Sequence, residues 1–470
     1  MTTLSPGPRP PSPAPRSPSP VPPSPSPGPL PPATCPSIPA PRTSVRSEPR
    51  GPLAPPDGRG PAVRPGGQGH DTGPGPGGWI RRTAARLDSA DRTVLGLYLL
   101  TRISLAITAH LARWLFPGQS GAREAAPVLA PFQHWDANHY LHIARDGYFP
   151  AGEGPWISGW DSREAFFPGY PLTLRAVHAV VPDWTAAGLL ISFAAGAVAV
   201  VALARIARAY LPDSAAGSRT VLFLLLSPCA VFLAVGYTEA LFLAFALPAW
   251  LAATHHRWAL AAVLTTLGTT VRISGLFLAA AIGLLFILAT AKGRSAAPGR
   301  VGRRSWWAAG WTLLPALPPA AYSWYLHAHT GDWMAWKHAQ ERGWYRTFHT
   351  PWEAWGNTWT GAFGHTQSTG YALMFQAELA AMLVGLALVA VLLYRRRWPE
   401  AVYVILSLWA LGTSYWYTSV PRATLLWWPL WIGLAALSLR RPWFRTAYLC
   451  VAAPVTTLVA LAFLTGRWAG

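Results

Sequence analysis

Residues 134–148 read His134-Trp135-Asp136-Ala137-Asn138-His139-Tyr140-Leu141-His142-Ile143-Ala144-Arg145-Asp146-Gly147-Tyr148, the densest polar run in the chain. With 135–145 helical, Asp136, His139 and Tyr140 share one face, and Leu141 with Ala144 offers an apolar strip. Further on, Ala165-Phe166-Phe167-Pro168-Gly169-Tyr170-Pro171 is an aromatic–proline turn that leads into an amphipathic stretch ending at Val181. A carboxylate beside a rigid aromatic turn suits a site that handles a lipid-linked polar group. It can take a proton from an attacking hydroxyl while nearby arginines neutralise a phosphate leaving group. Asp is equally a good N-cap, and on local grounds capping of the helix from 137 onward competes evenly with catalysis.

The elements that position this run belong to a membrane protein. Of 470 residues 51% are apolar and only 12% charged, with 26 Trp, too little polar material to cover a water-facing surface. The net charge of +19 comes from 36 Arg and 2 Lys. It falls in loops that flank apolar runs rather than on a soluble basic face, so nucleic acid is not an expected partner. Cys35, Cys229 and Cys450 are far apart and form no CxxC, which excludes a disulfide framework and a cysteine-built zinc site. Residues 1–78 hold 26 of the 47 prolines and read as a disordered Pro/Ser/Gly-rich tail. Its recurrent PxxP spacing is compatible with an SH3-type ligand, but chance matches at this proline density are the favoured reading.

From residue 92 apolar runs of bilayer length follow, near 92–116, 184–204, 219–236, 238–254, 258–271, 274–291, 306–328, 371–394, 399–417, 421–439 and 446–465. They predict an all-α polytopic domain over 92–467 with about eleven transmembrane helices, in a range of about nine to twelve. The pieces 238–254 and 258–271 are short enough to be tilted or re-entrant. With the tail placed in the cytoplasm, alternation puts every dense basic cluster inside: Arg205, Arg208 and Arg219; Arg257; Lys292 to Arg304; Arg395 to Arg397; and Arg440 to Arg445. Two long segments, 117–183 and 329–370, are then outside. Both mix acids, bases and aromatics, and the chemistry is expected there.

The pattern WDAxHYLxIAxxGY followed by AFFPGYP resembles the PIG-V family of membrane mannosyltransferases, which add the second mannose to the GPI anchor, and their bacterial relatives. Gly236-Tyr237-Thr238-Glu239-Ala240-Leu241-Phe242 is similar to the family's Tyr-Ser/Thr-Glu-x-Leu-Phe segment, and Arg272-Ile273-Ser274-Gly275 to its Arg-x-x-Gly. Thr330-Gly331-Asp332 with Ala339-Gln340, and Pro421-Arg422, echo later segments, so the resemblance spans roughly 95–440. It implies a GT-C glycosyltransferase fold with a catalytic first outer loop. It also implies a polyprenyl-phosphate sugar donor, a lipid- or glycan-linked acceptor, and one inverting displacement with Asp136 as general base. The chain departs from eukaryotic members in having His134 where Arg is common before Trp-Asp, and in lacking Asn in the Arg-x-x-Gly segment. Its Arg-over-Lys, Ala/Gly/Pro-rich composition suggests a bacterial-type cell membrane, which puts GPI itself in doubt as the acceptor.

The substrate-binding candidates are then Trp135, His139, Tyr140, Arg145, Arg163, Phe166, Phe167, Pro168, Tyr170, Glu239, Arg272 and Arg422. Arg145, Arg163, Arg272 and Arg422 are candidates for the carrier phosphate, since a guanidinium matches phosphate oxygens bidentately. Snorkelling to headgroups is the alternative for Arg272 and Arg422. Glu239 faces the site or partners Arg272. His139 and His142, at i and i+3, could share a divalent cation, although no DxD or ExD pair accompanies them. The tryptophans at 333, 336, 344, 352, 355 and 359 either stack on sugars or form an aromatic belt. A small membrane subunit is a further partner to consider. The rival function is a transporter or lipid flippase, which would carry its charges within spans arranged in two matching halves. No internal repeat is seen. Another carrier-linked sugar is the rival within the class.

Overall fold

The computed structural model describes residues 87–118, 121–150, 162–296 and 310–469. The Pro-rich tail 1–78, the centre of the first long segment at 151–161 and the arginines between 297 and 309 lie outside the described residues. The main helices are α1 Ser89–Leu115, α2 Asp136–Asp146, α3 Gly169–His178, α4 Trp184–Tyr210, α5 Ala216–Leu225, α6 Thr238–Thr254, α7 Trp258–Val271 and α8 Ser274–Ala296. After them come α9 Leu317–Thr330, α10 Ala335–Trp344, α11 Pro351–Phe363, α12 Thr369–Tyr394, α13 Trp398–Gly412, α14 Trp428–Arg440 and α15 Pro442–Leu464. No strand occurs among the described residues. This is the all-α polytopic architecture expected from the sequence, consistent with a GT-C-type fold.

Each of the eleven apolar runs contains helix, but run 219–236 is α-helical only to Leu225 and run 399–417 only to Gly412. Run 306–328 begins outside the described residues and continues as a 3-10 turn, Trp311–Ala316, before α9. Five helices are long and apolar enough to cross a bilayer on their own: α1, α4, α8 over Ser274–Ala291, α12 and α15. Val420–Leu426 with α14 makes a sixth if this pair, bent by 77°, is one span. The apolar helices α5, α6, α7 and α13 are shorter. α6 is apolar on all sides and correspondingly buried on most of them, packing between α4 and α7 at the centre of the bundle. α1 is peripheral: Leu100, Ile103, Ile107 and Trp114 are all more than half exposed. Such a continuous apolar surface cannot face water, and the protein is integral to a membrane.

The described parts of the two long segments between spans are largely helical. The first carries α2 and α3, the second α10 and α11. They pack on each other. Gln340 Nε2 donates to the Ala165 carbonyl at 3.0 Å, Arg342 lies 3.7 Å from Glu164, and Trp344 stands edge-on to Phe166 at 5.3 Å between ring centres. The tryptophans of the second segment divide accordingly. Trp333, Trp352 and Trp359 are exposed, whereas Trp336, Trp344 and Trp355 pack against the core.

Candidate functional site

α2 begins at Asp136, directly after a strained residue. Trp135 has φ 56° and ψ −124°, a conformation that costs a bulky side chain about 1–3 kcal/mol and persists only where its surroundings enforce it. The enforcement is visible: the His134 carbonyl accepts the Tyr237 hydroxyl at 3.1 Å, and the His134 ring meets Phe463 edge-on at 5.8 Å. The kink aims Asp136 away from its own first turn. Oδ2 receives Nη1 of Arg422 at 2.7 Å, a residue 286 positions later in the chain. Of the two local readings, capping gives way to a long-range ion pair.

Arg422 continues the chain of charges. Its Nε donates to Glu239 Oε1 at 2.5 Å, and its guanidinium lies 4.8 Å from the centre of the Tyr237 ring and 5.1 Å from that of Phe232. Glu239 Oε1 also takes Nη1 of Arg272 at 2.6 Å, and the same nitrogen donates to Thr238 Oγ1 at 2.6 Å. Glu239 is therefore both the partner of Arg272 and part of the site. Burial by itself would raise the pKa of Asp136. The charge and hydrogen bond of Arg422, assisted by His139 and Arg272, outweigh burial and hold the carboxyl below the ordinary carboxylate range.

The aromatic motif forms one wall. His139 stacks on Phe166 at 4.9 Å with its ring edge-on to Trp344, and Tyr140 packs against Phe166, Tyr170 and Tyr237. Phe166, Phe167 and Tyr170 are buried, and Pro168 starts α3. Gly169 explains why the turn ends as it does. A Cβ there would collide with Thr270, so glycine lets α3 close against the end of α7 that carries Arg272. Gly236 plays the same part beside Glu239, where a Cβ would come within 3.3 Å of the Tyr170 hydroxyl.

Not every expected residue joins this cluster. Arg145 forms a bidentate pair with its neighbour Asp146 on an exposed surface. Arg163 is buried, and its Nη1 donates to the Gly147 carbonyl at 3.0 Å, which ties the end of α2 to the aromatic turn. Nor do the histidines gather ligands: among the described residues no group of three His, Cys, Asp or Glu is placed to hold a metal ion.

Two residues of the site were not singled out from the sequence. Glu378, within α12, accepts the backbone N–H of Ser419 at 2.7 Å and of Val420 at 2.8 Å. These bonds hold the turn Val420–Ala423 that presents Arg422, entered through Ser419 at φ 65°. An acid inside an apolar span was the available signal. The second is Arg346, whose Nη2 donates to the Thr418 carbonyl at 3.4 Å. It lies within electrostatic range of Glu378, Arg422, Arg272 and Asp136. Burial lowers its pKa, and Glu378 opposes that shift. Arg346 Nε, Glu239 Oε2 and the Trp135 indole N–H are all buried without a hydrogen-bond partner. These two donors and one acceptor belong to residues in or next to the ion-pair chain or within its electrostatic range, and are groups to which a polar ligand would bond.

Fold and site together define a class, a polytopic helical membrane protein with a buried network of carboxylates and guanidinium groups at one end of its bundle. Comparison with known proteins narrows it. Residues 113–287 match the family model described as Mannosyltransferase (PIG-V). The chain is 29% identical over 182 residues to GPI alpha-1,6-mannosyltransferase 2 of Rattus norvegicus, covering 33% of this chain and 35% of that protein. It is 30% identical over 181 residues to the Homo sapiens protein of the same name, covering 33% and 34%. The matches thus span about a third of the length of these curated relatives. They support PIG-V family membership, as the motifs had indicated. The matched segment contains Asp136, Glu239 and Arg272, while Arg346, Glu378 and Arg422 lie beyond it.

Proposed function

We propose that this protein is a glycosyltransferase that moves mannose from a polyprenyl-phosphate-mannose donor to a glycolipid or glycan acceptor on the outer face of the membrane. The observation that carries the reading is the ion-pair chain Asp136–Arg422–Glu239–Arg272, whose acid, Asp136, lies in the segment matched to the mannosyltransferase family. The acceptor hydroxyl oxygen bonds to the anomeric carbon as the bond to the phosphate oxygen breaks, and that electron pair leaves with the polyprenyl phosphate. Asp136 takes the hydroxyl proton. Configuration inverts, so a β-linked carrier yields an α-mannoside.

The charge network suits this sequence of events. With no donor present Asp136 is neutralised by Arg422 and is a weak base. A donor phosphate that engages Arg422, Arg272 and Arg346 competes for the same guanidinium donors and releases Asp136 toward the acceptor. The base is then strengthened by the substrate it must act on. Phe166, Phe167, Pro168 and Tyr170 form the apolar wall on the carrier side, and His139 with Tyr140 borders the sugar. Trp135 Nε1 is a donor for a sugar hydroxyl.

The test is transfer of label from radiolabelled polyprenyl-phosphate-mannose in membranes holding equal amounts of wild type or Asp136→Asn. Label should enter a new product with wild type and not with the variant. Equal transfer by both would remove Asp136 as the base. No transfer by either would leave the donor sugar or the enzyme assignment wrong, to be separated with a panel of other carrier-linked sugars. Parallel reactions with chelator report on the divalent metal that His139 and His142 could share.

A further inference from the structure

The far ends of α6 and α8 frame a second, separate feature. Glu239 lies in the first turn of α6 and Thr254 closes its last, so the two ends stand about 22 Å apart by helical rise. At the Thr254 end is a cavity of about 600 Å³, open on one side. Its apolar walls come from Ile206 of α4, Leu251 of α6, and Leu285 and Leu288 of α8. Its polar rim comes from His256, Arg396 and Arg397. Cavities that seat small molecules have about 300–1,000 Å³.

The polar groups at its floor are built rather than incidental. Glu400 is only 4% exposed and accepts the Tyr210 hydroxyl at 2.9 Å, and that oxygen receives the Trp250 indole N–H at 3.1 Å. Glu400 is thereby held in place, with Arg397 no nearer than 3.9 Å. Arg397 is anchored by its face on the Tyr210 ring, 4.7 Å from the centre, so its N–H edge stays available. Arg396 is exposed and forms no ion pair among the described residues. The rim therefore carries two guanidinium groups and an imidazole against one buried carboxylate, above walls that suit hydrocarbon.

We infer that this cavity is a binding site for an anionic phospholipid of the membrane, its phosphate held by Arg396 and Arg397 with His256 alongside, and its acyl chain laid along Leu251, Leu285 and Leu288. Charge complementarity selects this occupant. The stretch 297–309 that follows α8 in sequence contains Arg300, Arg303 and Arg304 and no acid, so its charge has the same sign as the rim. A zwitterionic lipid would offer its phosphate together with a cation that the rim repels. The site is independent of the transfer chemistry and stands or falls without it.

The full chain, purified in detergent, would be incubated with equal amounts of phosphatidylglycerol and phosphatidylcholine, and the retained lipid counted by native mass spectrometry. Phosphatidylglycerol should be retained about 25-fold over phosphatidylcholine, since each of the two arginines near an anionic headgroup contributes about fivefold. Arg396→Asn should lower that retention about fivefold. Asn tolerates the left-handed backbone of this position, φ 55°, so the variant keeps the fold. Ala289→Trp, which fills the cavity from α8, should abolish the preference at an unchanged unfolding temperature. Equal retention of the two lipids, or undiminished phosphatidylglycerol on either variant, would overturn the proposal. So would displacement of the lipid by soluble glycerol phosphate, which would make this a site for a water-borne anion. A photo-crosslinker at position 289 that captured residues 297–309 instead of lipid would also overturn it.

Discussion

The two ends of the central helices use charge in opposite ways. Around Asp136, arginines are consumed by acids: Arg422 serves Asp136 and Glu239, and Arg272 serves Glu239, all within 2.7 Å. Around the far cavity, Arg397 stands 3.9 Å from the nearest carboxylate and Arg396 stands alone among the described residues. A buried, balanced network holds its groups in defined positions and exchanges partners only when a competing anion arrives. A rim of unbalanced positive charge is a standing attraction for anions. The first arrangement suits chemistry on a bound substrate, the second retention of a lipid.

Removal of the acid breaks the comparison most sharply. Asp136→Asn should lower transfer by about 10²–10⁴-fold, the range for loss of a general base, while phosphatidylglycerol retention at the far end stays at the wild-type level. Arg422→Gln comes next. It strands Asp136 and part of Glu239 without a partner, and the loss should be about 3–5 kcal/mol, read as a fall in unfolding temperature in detergent. The same variant should move the acid limb of kcat/KM for the donor, which reports the enzyme before the donor phosphate engages Arg422. Asp136 must be ionised to accept a proton, so activity falls as pH drops through its pKa. That pKa is depressed in the wild type by Arg422, and without Arg422 burial prevails, so the limb should shift to higher pH. A limb that did not move would show that Asp136 is not the titrating base.

Stability follows the same linkage. A carboxyl with a depressed folded pKa contributes stability fully present above its unfolded value, near pH 4, and lost as pH falls through the folded value. Wild type should lose this contribution on acidification and Asp136→Asn should not, a contrast that thermal melts between about pH 6 and 3 would read. Arg346→Gln is a milder change, expected to raise the KM for the donor about tenfold with a smaller effect on kcat, as for loss of one charge-assisted contact. Smallest is Glu378→Gln, which keeps one acceptor for the amides of Ser419 and Val420. It should cost about 1 kcal/mol and lower kcat modestly through the position of Arg422.

Much of the site could be read before any coordinates. Asp136, Glu239, Arg272 and Arg422 were picked out by motif, and they form one continuous ion-pair chain. Arg145 and Arg163 looked equivalent to the other arginines because residue type and segment were all that distinguished them. Arg145 turns to its neighbour Asp146 and Arg163 to the Gly147 carbonyl, partners that residue spacing does not reveal. Glu378 was hidden because its partners are backbone amides on another segment, and a backbone amide has no residue type to recognise. Arg346 sat among mixed charges in a segment whose packing against the first is tertiary. The spanning helices are legible from apolar runs, whereas α10 and α11 of the second long segment fall in no such run.

The distance in sequence between Asp136 and Arg422 also bears on biosynthesis. Glu239 obtains its first partner, Arg272, soon after its own synthesis, whereas Asp136 waits for a residue made 286 positions later. At about 5–20 residues per second, Arg422 follows Arg272 by roughly 8–30 s. During that interval the growing chain holds an acid destined for burial with no counter-charge of its own. Asp136 must then stay in water, or be shielded by the insertion machinery, until the last third of the chain is in place. A chain interrupted between residues 287 and 422 would keep the whole family-matched segment and still be unable to close its site. Such a fragment would present quality control with an unpaired carboxylate, a chemical mark of incompleteness.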